Sequence, residues 1–306
     1  MKKGIALLTA VLSLFNAGLH ADYDLDDTSS LEIQPTDNSD KHFTIKMQGD
    51  WISKAKFKKH DASGKIGYDH AQVEFDAIVC GTPCYREGLM IGLAYEYTRL
   101  DWSNNPYFSR KNYDTAVLST VLFTERLCNW RWLASVNFNF DADKWSNNYT
   151  TYDLLLWGRY AYTCSVNLHM GIYAETGLKL DRVYPVIGFD WRISDCLQLN
   201  AIYPFNMSLV YTINPCWSAS LAIRLFSDRH RAGKEGILSE KSVWRYSNSG
   251  LELGITRNIC DWFSANAHVG YALGGRLKVA NRHAHDSHNF DFKSSGYVGG
   301  ALSINF

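Results

Sequence analysis

Beyond residue 21 the sequence contains no apolar run of about 18 residues, so no helix able to cross a bilayer is available in it. Basic charge is not in surplus either. Lys plus Arg and Asp plus Glu stand at 31 each, which removes the excess that binding to nucleic-acid phosphates requires. Proline is scarce, 6 residues beside 22 glycines, and the composition is neither disordered nor collagen-like. There is no Gly-x-Ser-x-Gly and no paired-carboxylate motif beside a histidine, the signatures a barrel-embedded protease or phospholipase would carry. The sequence therefore reads as a non-enzyme with no cofactor, a hydrolase being the least favoured of its readings.

What the chain does have is aromatic side chains, 10 Trp, 18 Tyr and 15 Phe, at a mean hydropathy of only -0.23. Many apolar rings among many polar residues is a mixture that membrane β-barrels show and helical membrane proteins do not.

The first 21 residues read as a signal peptide: Lys2 and Lys3, a short apolar stretch from Ile5 to Phe15, then Leu19-His20-Ala21 with a small residue at the expected cleavage point. No Cys follows the apolar stretch, so acylation is not indicated. Removing Lys2 and Lys3 from the 31 basic residues leaves 29 against 31 acidic ones. Residues 22–42 are expected to form a periplasmic leader and 43–306 the folded domain.

Past the leader the governing pattern is alternation. Trp130, Trp132, Ala134, Val136, Phe138 and Phe140 take every second position, with Arg131, Ser135, Asn137 and Asn139 between them. This period of two gives a strand with one apolar and one polar face. It recurs through Ala71 to Val79, Leu89 to Tyr97, Trp217 to Leu225 and Leu251 to Ile255. A soluble sandwich alternates too, so connection lengths decide. Tight turns near Cys80 to Cys84, Arg126 to Asn129, Cys164, Ser194 to Cys196, Asn214 to Cys216 and Asn258 to Asp261 alternate with polar stretches such as 58–67, 101–112, 141–149, 228–242 and 274–294. Short turns at one rim and long loops at the other are the arrangement of transmembrane barrels.

The strands between these connections are expected at 43–57, 67–79, 85–99, 113–125, 129–141, 150–163, 165–178, 182–194, 197–204, 207–214, 217–227, 244–258, 262–274 and 295–306. The fold expected is all-β, a transmembrane antiparallel up-and-down barrel of about 14 strands. Losing the short pair around Tyr203-Pro204-Phe205-Asn206 would leave about 12.

In the last strand Val298, Gly300, Leu302, Ile304 and the terminal Phe306 share one face. This resembles the carboxy-terminal signal of Gram-negative outer-membrane proteins, and the resemblance implies a barrel in the bacterial outer membrane, delivered by the barrel-assembly machinery through Phe306 and surrounded by lipid. Pro204 followed by Leu209, Tyr211 and Trp217 is similar to a pattern in an uncharacterised family of bacterial outer-membrane barrels, over about one hairpin. The fatty-acid transporter type resembles the chain in strand number only.

Of the seven cysteines, Cys84, Cys128, Cys164, Cys196, Cys216 and Cys260 fall in six different tight turns, and Cys80 shares the first with Cys84. Turns two strands apart have centres about 10 Å apart, whereas a disulfide needs Cα atoms within about 7 Å. Only Cys80 with Cys84 is placed to close locally. The other five are placed for other chains or remain free thiols, and their separation argues against a zinc site. This cysteine usage resembles the chlamydial type of envelope, in which outer-membrane porins and cysteine-rich periplasmic proteins are cross-linked. His283, His285 and His288, with Asp286, are weak metal-ligand candidates, the plainer reading being a solvated loop.

If the apolar residues face lipid, the inward set includes Lys46, Asp50, Glu74, Asp76, Glu96, Arg131, Asp153, Arg159, Asp190, Arg192, Arg224 and Glu252. Both signs of charge line the strands. With water inside, the protein is a porin-like channel for passive diffusion of small hydrophilic solutes; with the lumen closed, it is a structural or adhesive element of the envelope.

Overall fold

The structure, a computed structural model, describes residues 42–58, 64–81, 87–127, 129–143, 149–178, 180–232, 242–280 and 287–306. The expected signal peptide and nearly all of the expected leader lie outside the described residues. The strands are β1 (Phe43–Lys56), β2 (Lys65–Gly81), β3 (Glu87–Trp102), β4 (Asn112–Thr124), β5 (Trp130–Asp141), β6 (Thr150–Ala161), β7 (Val166–Gly177), β8 (Leu180–Ser194), β9 (Leu197–Tyr203), β10 (Asn206–Asn214), β11 (Trp217–Arg231), β12 (Val243–Cys260), β13 (Phe263–Ala272), β14 (Arg276–Ala280), β15 (His288–Asp291) and β16 (Ser295–Asn305).

All pairings are antiparallel. From β1 to β13 each strand pairs with its chain neighbour, β13 pairs with β16 and β16 returns to β1. The result is a closed 14-strand barrel, in which no barrel strand is left as an edge over its whole length. The short pair β9 and β10 is present, which settles the strand number at 14 and not 12.

The alternation sorts the two faces. On β1, Phe43, Met47 and Trp51 point outward and are 45%, 42% and 54% exposed, while Asp50 between them is buried. Leu and Ile side chains such as Leu93, Leu154, Ile172, Leu221 and Leu253 form the exposed middle of the wall. Aromatic residues flank it, with Phe43, Trp130, Trp217 and Phe263 toward the turn rim and Trp51, Phe140, Tyr152 and Tyr271 toward the loop rim. The rise from Phe43 to Trp51, or from Phe263 to Tyr271, is about 26 Å of strand. At a tilt of about 40° this is about 20 Å along the barrel axis, near the roughly 25 Å apolar band of outer-membrane barrels.

Two departures from the expected strands shape the interior. The polar stretches 228–242 and 274–294 are not wholly loop. β11 runs on to Arg231, and 274–294 contains the hairpin β14–β15, which pairs with the outer end of β12. The bridge Phe57↔Phe292, with Lys58 N donating to Asp291 O at 2.7 Å and Lys293 N to Lys56 O at 2.8 Å, ties this extra sheet back to β1. The alternation in these segments is interrupted by charged residues, which hid their strand character.

Second, the wall is low at β9–β10. Pairing of β8 with β9 ends at Ile187↔Tyr203, so 180–186 of β8 have a strand partner only in β7; pairing of β10 with β11 ends at Met207↔Ile223, so 224–231 of β11 have a partner only in β12. Released from β10, the outer half of the β11–β12 hairpin is free to leave the cylinder.

Candidate functional site

A round 14-strand barrel with strands about 4.8 Å apart and tilted by about 40° has opposite walls about 28 Å apart. Two aromatic side chains reaching inward from facing walls fall well short of each other across that width. Yet Tyr113 on β4 stacks at 4.9 Å on His230 of β11 and meets Trp244 of β12 edge-on at 4.9 Å. Tyr68 on β2 stacks on Tyr246 of β12 at 4.4 Å. The outer half of the β11–β12 hairpin therefore crosses the lumen and rests on the far wall.

Its contact face is largely aromatic. Trp244, Tyr246 and Phe226 join Tyr68, Leu100, Trp102 and Tyr113 of the wall, Phe108 of the β3–β4 connection, and Phe290 and Phe292 of the β14–β15 segment, in one buried apolar cluster. Trp244, Tyr113 and Leu100 are 0% exposed. Among the polar groups there, His230 Nε2 lies 2.7 Å from Asp228 Oδ1 and Tyr68 donates its hydroxyl to Asp228 Oδ2 at 3.4 Å, while the indole N–H groups of Trp102 and Trp244 are buried with no hydrogen-bond partner among the described residues. Burying this much aromatic surface supplies the drive for the hairpin to dock. The loop-side mouth is thus filled by a lid made of the chain's own strands.

The hinge of the lid carries the densest charge cluster. Arg224, the first β11 residue beyond the β10 pairing, donates from Nη2 to Asp50 Oδ2 at 2.7 Å and from Nη1 to Glu252 Oε2 at 3.3 Å. His268 places Nε2 at 2.7 Å from Asp50 Oδ1 and Nδ1 at 2.9 Å from Asn266 Oδ1. Tyr297 donates to Glu252 Oε2 at 3.2 Å. Asp50 and His268 face each other across Gly299, where a Cβ would sit 2.3 Å from both Asp50 Oδ1 and His268 Nε2. Glycine leaves the space in which side chains from β1, β11, β12, β13 and β16 meet flat against the wall.

The other residues of the expected inward set are distributed along the lumen. Near the turn rim Lys46 Nζ lies 3.4 Å from Glu74 Oε2 and 3.6 Å from Asp76 Oδ2. Glu96 accepts from Gln72 at 3.2 Å, and Asp153 Oδ2 accepts from Asn139 at 2.7 Å. Asp190 Oδ2 lies 2.8 Å from His169 Nε2 and 3.8 Å from Arg159 Nε, while Trp157 Nε1 donates to His169 Nδ1 at 3.0 Å. Arg131 pairs with Glu125 at 3.2 Å, and Arg192 lines a small recess with Arg159 and Asp190. A second apolar cluster, Leu155, Tyr173, Tyr184, Val186 and Ile202, sits inside the wall where it is low.

Between the lid and the wall of β2 to β7 lies a polar cavity of about 120 Å³, lined from Glu74 and Asp76 at the turn end to Arg229 and Arg231 under the lid. Sequence reasoning missed Arg229 and Arg231 because it assigned 228–242 to a loop and ended β11 at residue 227; Arg245 lay in the expected strand 244–258 but falls out of parity with the inward Glu252. It also missed His268 and His169. Both stand at inward positions of alternating strands, a signal that was available.

Cys80, Cys164, Cys196, Cys216 and Cys260 all lie at the turn rim, four of them exposed and Cys260 half-buried, and none is in a disulfide. Cys84 and Cys128 are outside the described residues. The turn at Asn214 shows why these connections are tight, since Asn214 Oδ1 accepts from both Cys216 N and Trp217 N, at 2.9 and 3.0 Å. His283 and His285 lie outside the described residues, and His288 meets the ring of Tyr107 in a tilted contact at 5.3 Å. Among the described residues there is no cluster of three or more metal-ligating side chains. Phe306 closes the last strand on the outward face, 57% exposed, its carbonyl accepting from His42 N at 2.6 Å.

No family model matches the chain. It is 25% identical over 281 residues to an uncharacterised protein of Chlamydia pneumoniae, covering 86% of this chain and 87% of that one. It is also 25% identical over 278 residues to an uncharacterised protein of Chlamydia trachomatis, with coverage of 86% and 87%. Among solved structures it is similar to an outer membrane channel from Pseudomonas putida F1, with 10% identity, a TM-score of 0.48 and coverage of 87% and 96%. It is likewise similar to the toluene transporter TodX of P. putida, with 10% identity, a TM-score of 0.39 and coverage of 87% and 90%. The strand pairing itself carries the fold. A closed antiparallel barrel with an apolar, aromatic-flanked exterior and a polar interior is the outer-membrane solution to having no water at the backbone, and this chain is an outer-membrane β-barrel.

Proposed function

We propose that the protein is a porin-like channel for passive diffusion of small hydrophilic solutes, described here with its lid docked. One observation carries the reading: the polar cavity runs from Glu74 and Asp76 near the turn rim to Arg231, and what stops it is the inward β11–β12 hairpin. A wall built for solidity alone gains little from a wet, charged interior beneath an apolar seal. Lumen charges of both signs, many of them paired, imply weak selectivity with a mild cation preference, because strong selectivity comes from rings of one sign.

A closed structural or adhesive barrel is the second reading, favoured by the complete burial of Trp244 and Tyr113. The two separate on one variant. Trp244→Ala removes a fully buried Trp, a change worth about 3–5 kcal/mol. At about 1.4 kcal/mol per tenfold this lowers the docked-to-undocked ratio of the lid by roughly 100-fold or more. Planar-bilayer recordings are expected to show brief, small, mildly cation-preferring steps for the wild type and a greatly raised open fraction for Trp244→Ala. A Trp244→Ala barrel that keeps its heat-modifiable migration and never conducts overturns the channel reading in favour of the closed one.

The turn-rim cysteines extend this reading. We take the turn rim as periplasmic and Cys128, Cys164, Cys196, Cys216 and Cys260 as attachment points for cysteine-rich envelope proteins, with Cys80 and Cys84 as the pair placed to close locally. The support is the position of Cys164, Cys196, Cys216 and Cys260 at a single rim and the occurrence of relatives in chlamydial species.

A further inference from the structure

The face of the lid turned away from the aromatic seal is built from arginine. Arg229 and Arg245 are register partners on β11 and β12 and both are buried, as is Arg231 beside them, which lies over the ring of Tyr149 at 4.6 Å. Arg229 is the unusual one. It is 9% exposed, it lines the cavity, and none of its three guanidinium nitrogens has a hydrogen-bond partner among the described residues. A guanidinium carries five N–H donors in a fixed fork, and burying all of them unused is strongly unfavourable.

Asp153, at 8% exposure, also lines the cavity, from the β6 wall, and its electrostatic influence includes Arg229. No hydrogen bond joins them. One carboxylate oxygen, Oδ2, accepts from Asn139, while Oδ1 is buried with no partner. Glu175, the register partner of Asp153 on β7, is 2% exposed and adds a second acidic group on that wall. The cavity therefore has a basic side on the lid and an acidic side on the wall, each with unused hydrogen-bonding capacity, and room for several water-sized groups in about 120 Å³.

We propose that Arg229 and Asp153 form a binding site for a small zwitterionic solute of the α-amino-acid class. The solute carboxylate lies in the guanidinium fork of Arg229, two parallel N–H···O bonds being the geometry that fork favours, and its ammonium donates to Asp153 Oδ1. A simple anion would satisfy Arg229 and leave Asp153 unmet; a simple cation would do the reverse. This inference rests on the channel reading for its biological sense and deepens it by naming the solute class, but binding is measurable without conduction.

The test is isothermal titration of the refolded full chain in detergent with L-alanine as probe, beside acetate and methylammonium. Saturable binding of L-alanine is expected, at least tenfold tighter than either half-ligand, and weakened at least tenfold in both Arg229→Met and Asp153→Asn. Arg229→Lys, which keeps the charge and loses the fork, should fall between wild type and Arg229→Met. Fold integrity is read in the same samples from heat-modifiable migration and the urea midpoint. A ligand-site arginine left unbonded in the empty protein predicts that Arg229→Met raises the midpoint, whereas an arginine serving structure predicts a fall. Absence of L-alanine binding by the folded wild type, acetate binding as tight as L-alanine, or a lowered midpoint for Arg229→Met would each overturn the proposal. L-alanine binding by a barrel that never conducts would uphold the site and reject the channel instead.

Discussion

Asp50 is the residue on which the hinge cluster turns. Its two oxygens serve different donors, Oδ2 receiving Arg224 Nη2 at 2.7 Å and Oδ1 lying 2.7 Å from His268 Nε2, with Asp50 itself 4% exposed. Asp50→Asn keeps one acceptor oxygen but turns an amide N–H2 toward a donor, so one charge-assisted bond is lost, about 1.5–3 kcal/mol. Asp50→Ala removes both and leaves Arg224 with Glu252 at 3.3 Å as its remaining acidic partner in the cluster. Removing one partner of a buried ion pair costs about 3–5 kcal/mol, and the surviving Glu252 contact places the expected loss toward the lower end. Arg224→Met, which removes the stranded charge, should recover part of it. In the double variant Asp50→Ala with Arg224→Met the loss should be smaller than the sum of the singles by about 1–3 kcal/mol. The assay is equilibrium urea unfolding in lipid vesicles followed by tryptophan fluorescence. An Asp50→Ala loss under about 0.5 kcal/mol, additive with Arg224→Met, is the size of an ordinary surface change and would refute the cluster as the anchor of the hinge.

Gly299→Ala would place a Cβ 2.3 Å from both Asp50 Oδ1 and His268 Nε2. It should cost about 1.5–3 kcal/mol in the same assay by forcing that contact apart, whereas Gly296→Ala, whose added Cβ would sit 4.0 Å from the carbonyl oxygen of Gly270, should stay within about 0.5 kcal/mol; equal effects would mean that space at Gly299 is not what the cluster needs. On non-reducing gels of native envelopes the thiols predict high-mass species that collapse to one band with reductant. Replacing Cys128, Cys164, Cys196, Cys216 and Cys260 together with Ser should abolish these species and leave the barrel folded, while replacing Cys80 and Cys84 should matter much less; labelling of these cysteines from outside intact cells by a membrane-impermeant reagent would invert the topology on which the prediction depends.

The barrel was legible because a membrane wall imposes a period of two on strand after strand. Trp130 to Phe140 and Leu251 to Ile255 announce both their strands and their outward faces, and the fourteen expected segments overlap the fourteen barrel strands. Legibility failed where the chain left the wall. In 224–231 of β11 neither face meets lipid, so the apolar-polar contrast disappears and Arg229 and Arg231 look like loop residues. β14 and β15 are likewise short and carry charged or polar residues beside their buried ones. The seal itself could not be read from sequence, since Tyr113 and Trp244 meet across the barrel and lie on strands that do not pair. The hinge cluster was half legible: Asp50, Arg224 and Glu252 follow from inward parity, but their convergence depends on Gly299 and on Arg224 standing where β10 ends.

That last coincidence explains how one hairpin can serve as both wall and lid. Below Ile223 each residue of β11 is held on both sides, by β10 and by β12, and cannot move without breaking ladder hydrogen bonds in a setting that offers no water to replace them. Above it β11 is held by β12 alone, and β12 by β11 and the short β14, so the hairpin can pivot as a unit with its own ladder intact. Arg224 sits at the boundary, tied to Asp50 four strands away around the ring, which fixes the base of the hairpin to the barrel however its tip is placed. The tip is held by ring packing around Trp244, which is non-directional and separable in small steps, and by the β12–β14 ladder, which continues through β15 to the end of β1, so that a swing of the hairpin has to part the short bridge Phe57↔Phe292 as well. A polar latch at the base and an apolar contact at the tip are what a strand pair needs in order to swing from a fixed hinge, and the short β9–β10 hairpin provides the break in the wall at which that hinge begins.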